Sequence, residues 1–120
     1  MPTSGEKLRA LLATGRVANL PTVCSNVLAG FWLSSSLIPW YQLNSHGQDM
    51  RVTLLLSIML IASMIYTAGC MLGDAVDLDF DRANRPGRPI PRGILSAGSV
   101  KFGAYALFTL AIIGLSGTHR

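Results

Sequence analysis

Between Gly73 and Gly93 the chain reads GDAVDLDFDRANRPGRPIPRG, four aspartates followed by four arginines threaded through three prolines. Projected on a helix at about 100° per residue, Asp74, Asp77 and Asp81 fall within roughly 60° of one another, so they share one face. Asp79 points about 165° away and is expected to be a solvated partner for Arg82. Three carboxylates on one face repel, and like charges raise one another's pKa. A divalent cation relieves that repulsion. Hard oxygen donors with incomplete coordination suit Mg2+, which keeps several waters and bridges carboxylates to substrate phosphates. The rival reading is an acidic helix end hydrated by water. A calcium loop opening at Asp77, Asp79 and Asp81 fails, because Arg82 stands where the sixth position needs Gly and Arg88 where the twelfth needs Glu.

The arginine stretch cannot continue the helix. Pro86, Pro89 and Pro91 lack amide donors and hold their predecessors extended, which predicts a stiffened loop. Arg85 and Arg88, set beside these prolines, are presented to phosphate oxygens at a reduced ordering cost. Acidic metal ligands next to preordered arginines fit a diphosphate. In the rival reading these arginines only set membrane topology. Nucleic acid is not expected as a partner, since no aromatic interleaving or known binding module accompanies the charge.

The elements that must position these groups are membrane helices. Half of the 120 residues are hydrophobic, 13% are charged, and the net charge is +4. No Lys, Arg, Asp or Glu occurs between Arg16 and Asp49, between Arg51 and Asp74, or between Lys101 and Arg120. Since about 20 apolar residues cross a bilayer, the expected fold is all-α, a polytopic transmembrane helical bundle with spans near Leu20–Trp40, Val52–Gly73 and Phe102–Thr118. A signal peptide is disfavoured for the first, whose apolar stretch is too long and has no small-x-small cleavage site after it. Cys24 and Cys70 lie on different spans without metal-site spacing, so neither a disulfide nor a thiolate site is expected. Lys7, Arg9 and Arg16 precede the first span, only Arg51 lies in the first loop, and the loop over 74–101 carries Arg82, Arg85, Arg88, Arg92 and Lys101. By the positive-inside rule the N-terminus and this second loop are cytoplasmic. Ser63, Tyr66, Thr67 and Cys70 extend the aspartate sector down the second span as a polar stripe, expected to face protein or a water-filled cavity. An ordinary helix contact of small and hydroxylated residues is the alternative.

The run D-x-x-D-x-x-x-D at Asp74, Asp77 and Asp81, followed by N-R-P-G-R-P-I-P-R-G, resembles the first aspartate-rich motif of the UbiA family of intramembrane prenyltransferases. R-V-A-N-L-P-T-V-C-S-N-V-L-A-G, from Arg16 to Gly30, resembles the entry to that family's first helix. The resemblance implies an enzyme that transfers a prenyl group from an isoprenoid diphosphate to a lipid-soluble or aromatic acceptor within the bilayer. Asp74, Asp77 and Asp81 would hold Mg2+, with Arg85, Arg88, Arg16 and Asn19 on the diphosphate. Metal and arginines would stabilise the leaving group while the allylic cation is captured, and the ring face of Tyr66 is a candidate shield for that cation. Two departures stand out: many members have Asn where this chain has Gly73, and members have about nine spans and a second aspartate motif. The chain is therefore expected to be the N-terminal part of such a domain, inactive alone. A CDP-alcohol phosphotransferase is a weaker alternative, since Gly73, Asp77 and Asp81 match only the tail of that motif. A small non-catalytic membrane protein is the other. Neither acceptor, prenyl length nor oligomeric state follows from the sequence.

Overall fold

The computed structural model describes residues 1–36 and 45–117, apart from the side chains of residue 35 and of 45–49. Five α-helices occur in the described residues: α1 (Ser4–Thr14), α2 (Leu20–Ser35), α3 (Ser45–Val76), α4 (Leu78–Asn84) and α5 (Ala97–Gly117), with a 3-10 turn at Val17–Asn19 between the first two. Among those residues there is no strand, so the chain is all-α there. Two helices are long and apolar enough to cross a bilayer, Met50–Val76 and Ala97–Gly117, and both are mostly exposed. Apolar helices with so little of their surface covered suit lipid surroundings. These two helices answer to two of the three expected spans; of the expected first span, α2 covers Leu20–Ser35, and residues 37–40 lie outside the described residues, as do residue 118 and residues 41–44 of the first loop.

α3 is the axis of the molecule. Its 32 residues run about 48 Å, more than the ~30 Å hydrocarbon layer. α5 packs along it more extensively than α2 does. The shared core consists of Ala68, Met71 and Ala75 on α3 with Val100 and Ala104 on α5, and Ile90 closes it from the intervening loop. Small residues allow the close approach: a Cβ added at Gly103 would lie 3.1 Å from Met71 Cε.

The helical twist does not stop where α3 does. Asp77 departs from helical geometry (φ −80°, ψ 15°), yet its N–H still donates to the Gly73 carbonyl at 2.9 Å and its carbonyl accepts from Asp81 N–H at 2.9 Å. α4 then ends at Arg85, which Pro86 drives out of the helical region to φ −139°, ψ 59°. The segment over 85–96 is a chain of turns, with Arg92 N–H on the Arg88 carbonyl and Ile94 N–H on the Pro89 carbonyl, both at 3.1 Å. Buried Ile90 folds it back onto the bundle. The acidic start of the second loop is helical, as the projection of Asp74, Asp77 and Asp81 on one face expects, and the non-helical stretch runs over 85–96.

α1 was not expected from the apolar pattern. Its start is nonetheless specified locally: Thr3 Oγ1 accepts from Glu6 N–H at 3.2 Å, and Glu6 Oε2 accepts from Thr3 N–H at 2.7 Å, a reciprocal capping box.

Candidate functional site

The core face of α3 is Ala68, Met71 and Ala75, so the residues about 90–175° around the helix face away from α5. Tyr66, Gly69, Cys70, Gly73, Asp74 and Asp77 lie there, on the wall of an open concavity of about 450 Å³ that Arg16, Arg85 and Arg88 complete. Gly73 leaves this wall open, since a Cβ there would meet nothing within 4 Å.

Arg88 organises the acidic cluster. Its Nη1 donates to Asp74 Oδ1 at 2.8 Å and to Asp81 Oδ2 at 3.1 Å. Asp81 is 1% exposed, and a buried carboxylate needs a paired charge to stay ionised. Its other oxygen, Oδ1, is buried without a hydrogen-bond partner. Arg16 adds a second cation, its Nη2 3.7 Å from Asp74 Oδ1. Arg85 lies on the concavity wall with its guanidinium 5.9 Å from the centre of the Phe80 ring.

The sequence-expected residues separate into three groups. Asp74 and Asp81 meet at Arg88, and Asp77 is exposed on the wall of the same concavity as Asp74. Asp79 is fully exposed, with Arg82 3.8 Å away, as the helical projection expects. Asn19 stands apart, lining a second concavity with Thr22, Asn26 and Tyr66, and it donates through Nδ2 to Tyr66 Oη at 3.0 Å. Tyr66 lies on both concavities and joins them. The polar stripe also divides. Thr67 is a packing residue against Gly15, Ser63 Oγ returns to the Met59 carbonyl at 2.7 Å, and Tyr66 and Cys70 face the site.

Arg16 reaches Asp74 through an unusual backbone. It adopts the left-handed conformation (φ 51°, ψ 43°), which costs a non-glycine residue about 1–2 kcal/mol. Gly15 precedes it in ordinary right-handed geometry. Close packing explains the glycine: a Cβ at Gly15 would stand 2.8 Å from Thr67 Cγ2. With position 15 reserved for that contact, the turn out of α1 falls on Arg16. No sequence pattern signals this.

The donor chemistry fits a hard divalent cation. Asp74, Asp77 and Asp81 offer only carboxylate oxygens, and Asp81 Oδ1 is a buried acceptor with no partner. Among the described residues no three acidic, His or Cys side chains are close enough to form a metal cluster by themselves. Asp74 and Asp81 are the pair that converges, with guanidinium groups arranged to neutralise them.

Residues 23–119 match the model of the UbiA prenyltransferase family. Over 108 residues, 90% of this chain and 33% of the relative, the chain is 29% identical to digeranylgeranylglyceryl phosphate synthase of Hyperthermus butylicus. It is 28% identical to the synthase of the same name from Saccharolobus solfataricus, over 88% of this chain and 33% of the relative. Identity with that of Methanobrevibacter smithii is 42% over 55 residues, 46% of this chain and 19% of the relative. The chain spans about a third of the length of the first two relatives. No solved structure matches.

Proposed function

The chain belongs to the UbiA prenyltransferase family, and on that premise we propose that its acidic concavity is the diphosphate half of a site for Mg2+-dependent prenyl transfer from an isoprenoid diphosphate to an acceptor in the membrane. One observation carries the reading: Arg88 is bonded to two carboxylates, one of them buried with a free oxygen, beside a concavity walled by Arg16 and Arg85. Guanidinium groups bind phosphate oxygens in pairs, and a carboxylate set between them disfavours a phosphate anion unless a cation intervenes. Arginines and carboxylates together therefore select a diphosphate that arrives with its metal.

Asp74, Asp77 and Asp81 are the residues that would hold Mg2+, which supplies positive charge against the charge building on the leaving diphosphate. Arg16, Arg85 and Arg88 orient that diphosphate and share its charge. Asn19 acts at one remove, fixing Tyr66 by its hydrogen bond, and so keeps the phenol ring on the wall. The relatives' name points to a glyceryl phosphate acceptor, which is the class we assign to this chain. The chain contributes the N-terminal part of the catalytic unit, and by the Lys and Arg distribution the N-terminus and the concavity face the cytosol.

The test is retention of a radiolabelled isoprenoid diphosphate by membranes containing the chain, with Mg2+ or with a chelator. Retention should require Mg2+ and should be lost in Asp81→Asn. Equal retention under chelation, or in Asp81→Asn, overturns the assignment.

A further inference from the structure

α1 has two faces that prenyl transfer leaves unexplained. One packs on the bundle, where Ala10 is 6% and Thr14 1% exposed. Leu8, Leu11 and Leu12 point elsewhere and remain 57%, 40% and 46% exposed. At about 100° per residue these leucines span roughly 100° of the helix, centred some 130° from the packed face. Lys7 lies about 40° beyond one edge of that sector and Arg9 about 60° beyond the other. An apolar stripe with a cation on each border is the pattern of a helix lying in a bilayer surface, where long basic side chains reach lipid phosphates while the stripe enters the acyl boundary.

The position of α1 points the same way. Its C-terminal end touches α3 at Thr67, through Gly15, and Thr67 lies inside the apolar stretch Met50–Val76. The leucine face is thus continuous with a helix surface that is itself largely exposed and apolar. Helix α1 also precedes the residues that match the family model, which begin at residue 23. Both cations bordering the stripe favour an anionic surface.

We propose that α1 is an interfacial helix that docks on anionic lipid, with Leu8, Leu11 and Leu12 in the acyl boundary and Lys7 and Arg9 on lipid phosphates. This holds whether or not the chain transfers prenyl groups. Docking braces Gly15 against Thr67, and so holds Arg16 over Asp74.

The experiment places a nitroxide at Leu8→Cys, Leu12→Cys or Ala13→Cys, in a Cys24→Ser, Cys70→Ser background. The chain is reconstituted in discs of phosphatidylcholine alone or with phosphatidylglycerol. Labels at 8 and 12 should collide with oxygen in preference to a water-soluble nickel chelate, and the label at 13 should show the reverse. The ratio of docked to undocked helix should rise with phosphatidylglycerol, and in Lys7→Gln/Arg9→Gln it should fall roughly fivefold for each cation removed. Chelate access at 8 and 12 equal to that at 13 overturns the proposal in favour of a solvated helix. Exclusion of both reagents overturns it in favour of a protein partner. Docking that ignores lipid charge and the double substitution overturns the anionic assignment.

Discussion

At the scale of single residues, Arg88 and a divalent cation compete for the same two carboxylates. Hydrogen bonds to charged groups contribute about 1.5–3 kcal/mol each, and Arg88 makes two, to Asp74 and Asp81. Arg88→Gln removes that competition and leaves buried Asp81 without a paired charge. It should therefore bind Mn2+, read by electron paramagnetic resonance in the absence of diphosphate, about tenfold more tightly, while retaining the labelled isoprenoid diphosphate less well. Weaker Mn2+ binding in Arg88→Gln would mean that the guanidinium supports the cation site rather than occupying it. The aspartates should also differ from one another. Asp81→Asn or Asp74→Asn should cost on the order of tenfold or more in Mn2+ affinity, and Asp79→Asn should change it little, since Asp79 is fully exposed and faces Arg82. Equal losses at 79 and 81 would contradict the helical placement of α4.

At the scale of elements, the site depends on how α1 meets α3. Gly15→Ala brings a methyl group within 2.8 Å of Thr67 Cγ2, so one helix must shift. Overpacking of this kind costs about 1–3 kcal/mol, and thermal unfolding in detergent should report it. Thr67→Ser removes the Cγ2 methyl and should be mild alone. The double variant Gly15→Ala/Thr67→Ser should recover most of the loss, because the clash involves only that pair of groups. Additive losses would mean that Gly15 is required for its backbone instead. A second dependence runs through the loop. Ile90 is buried in the α3–α5 core two residues after Arg88, so Ile90→Ala, beyond its cavity cost of about 2–5 kcal/mol, should loosen Arg88 from Asp81. Mn2+ affinity in Ile90→Ala should then move toward that of Arg88→Gln.

At the scale of the whole molecule, the proposed orientation rests on loop charge. A cysteine at Gly87 should react with a membrane-impermeant reagent only after the membrane is opened, and one at Ser45 should react in intact cells. Reversed labelling would place the acidic concavity outside. The concavity is open, with Asp77 exposed on its wall, and an allylic cation formed there would meet water. These 120 residues alone should therefore bind an isoprenoid diphosphate without transferring it, and coexpression with the later helices of a family member should restore Mg2+-dependent transfer of a radiolabelled prenyl group. Robust turnover by the 120 residues alone would show that copies of this chain enclose the site.

Two apolar stretches long enough to cross a bilayer, the aspartate spacing and the proline-broken arginine run are local patterns, and each was legible in the sequence. Hydropathy and helical periodicity depend only on neighbours along the chain, so they also separated Asp79 from Asp74 and Asp81 without any structure. The capping box of α1 was equally local, at Thr3 and Glu6, but an apolar scan passes over a helix whose exposed leucines alternate with charge. Tertiary structure alone decided which groups meet. Arg88 reaches Asp74 and Asp81 because Ile90 is buried in a core made by α3 and α5. Arg16 reaches Asp74 because Gly15 is held against Thr67, 52 residues away along the chain. Asn19 pairs with Tyr66, and not with the acidic cluster, because the start of α2 lines the second concavity, which Tyr66 shares. Such pairings depend on packing between segments far apart in sequence, and no periodicity within a segment encodes them.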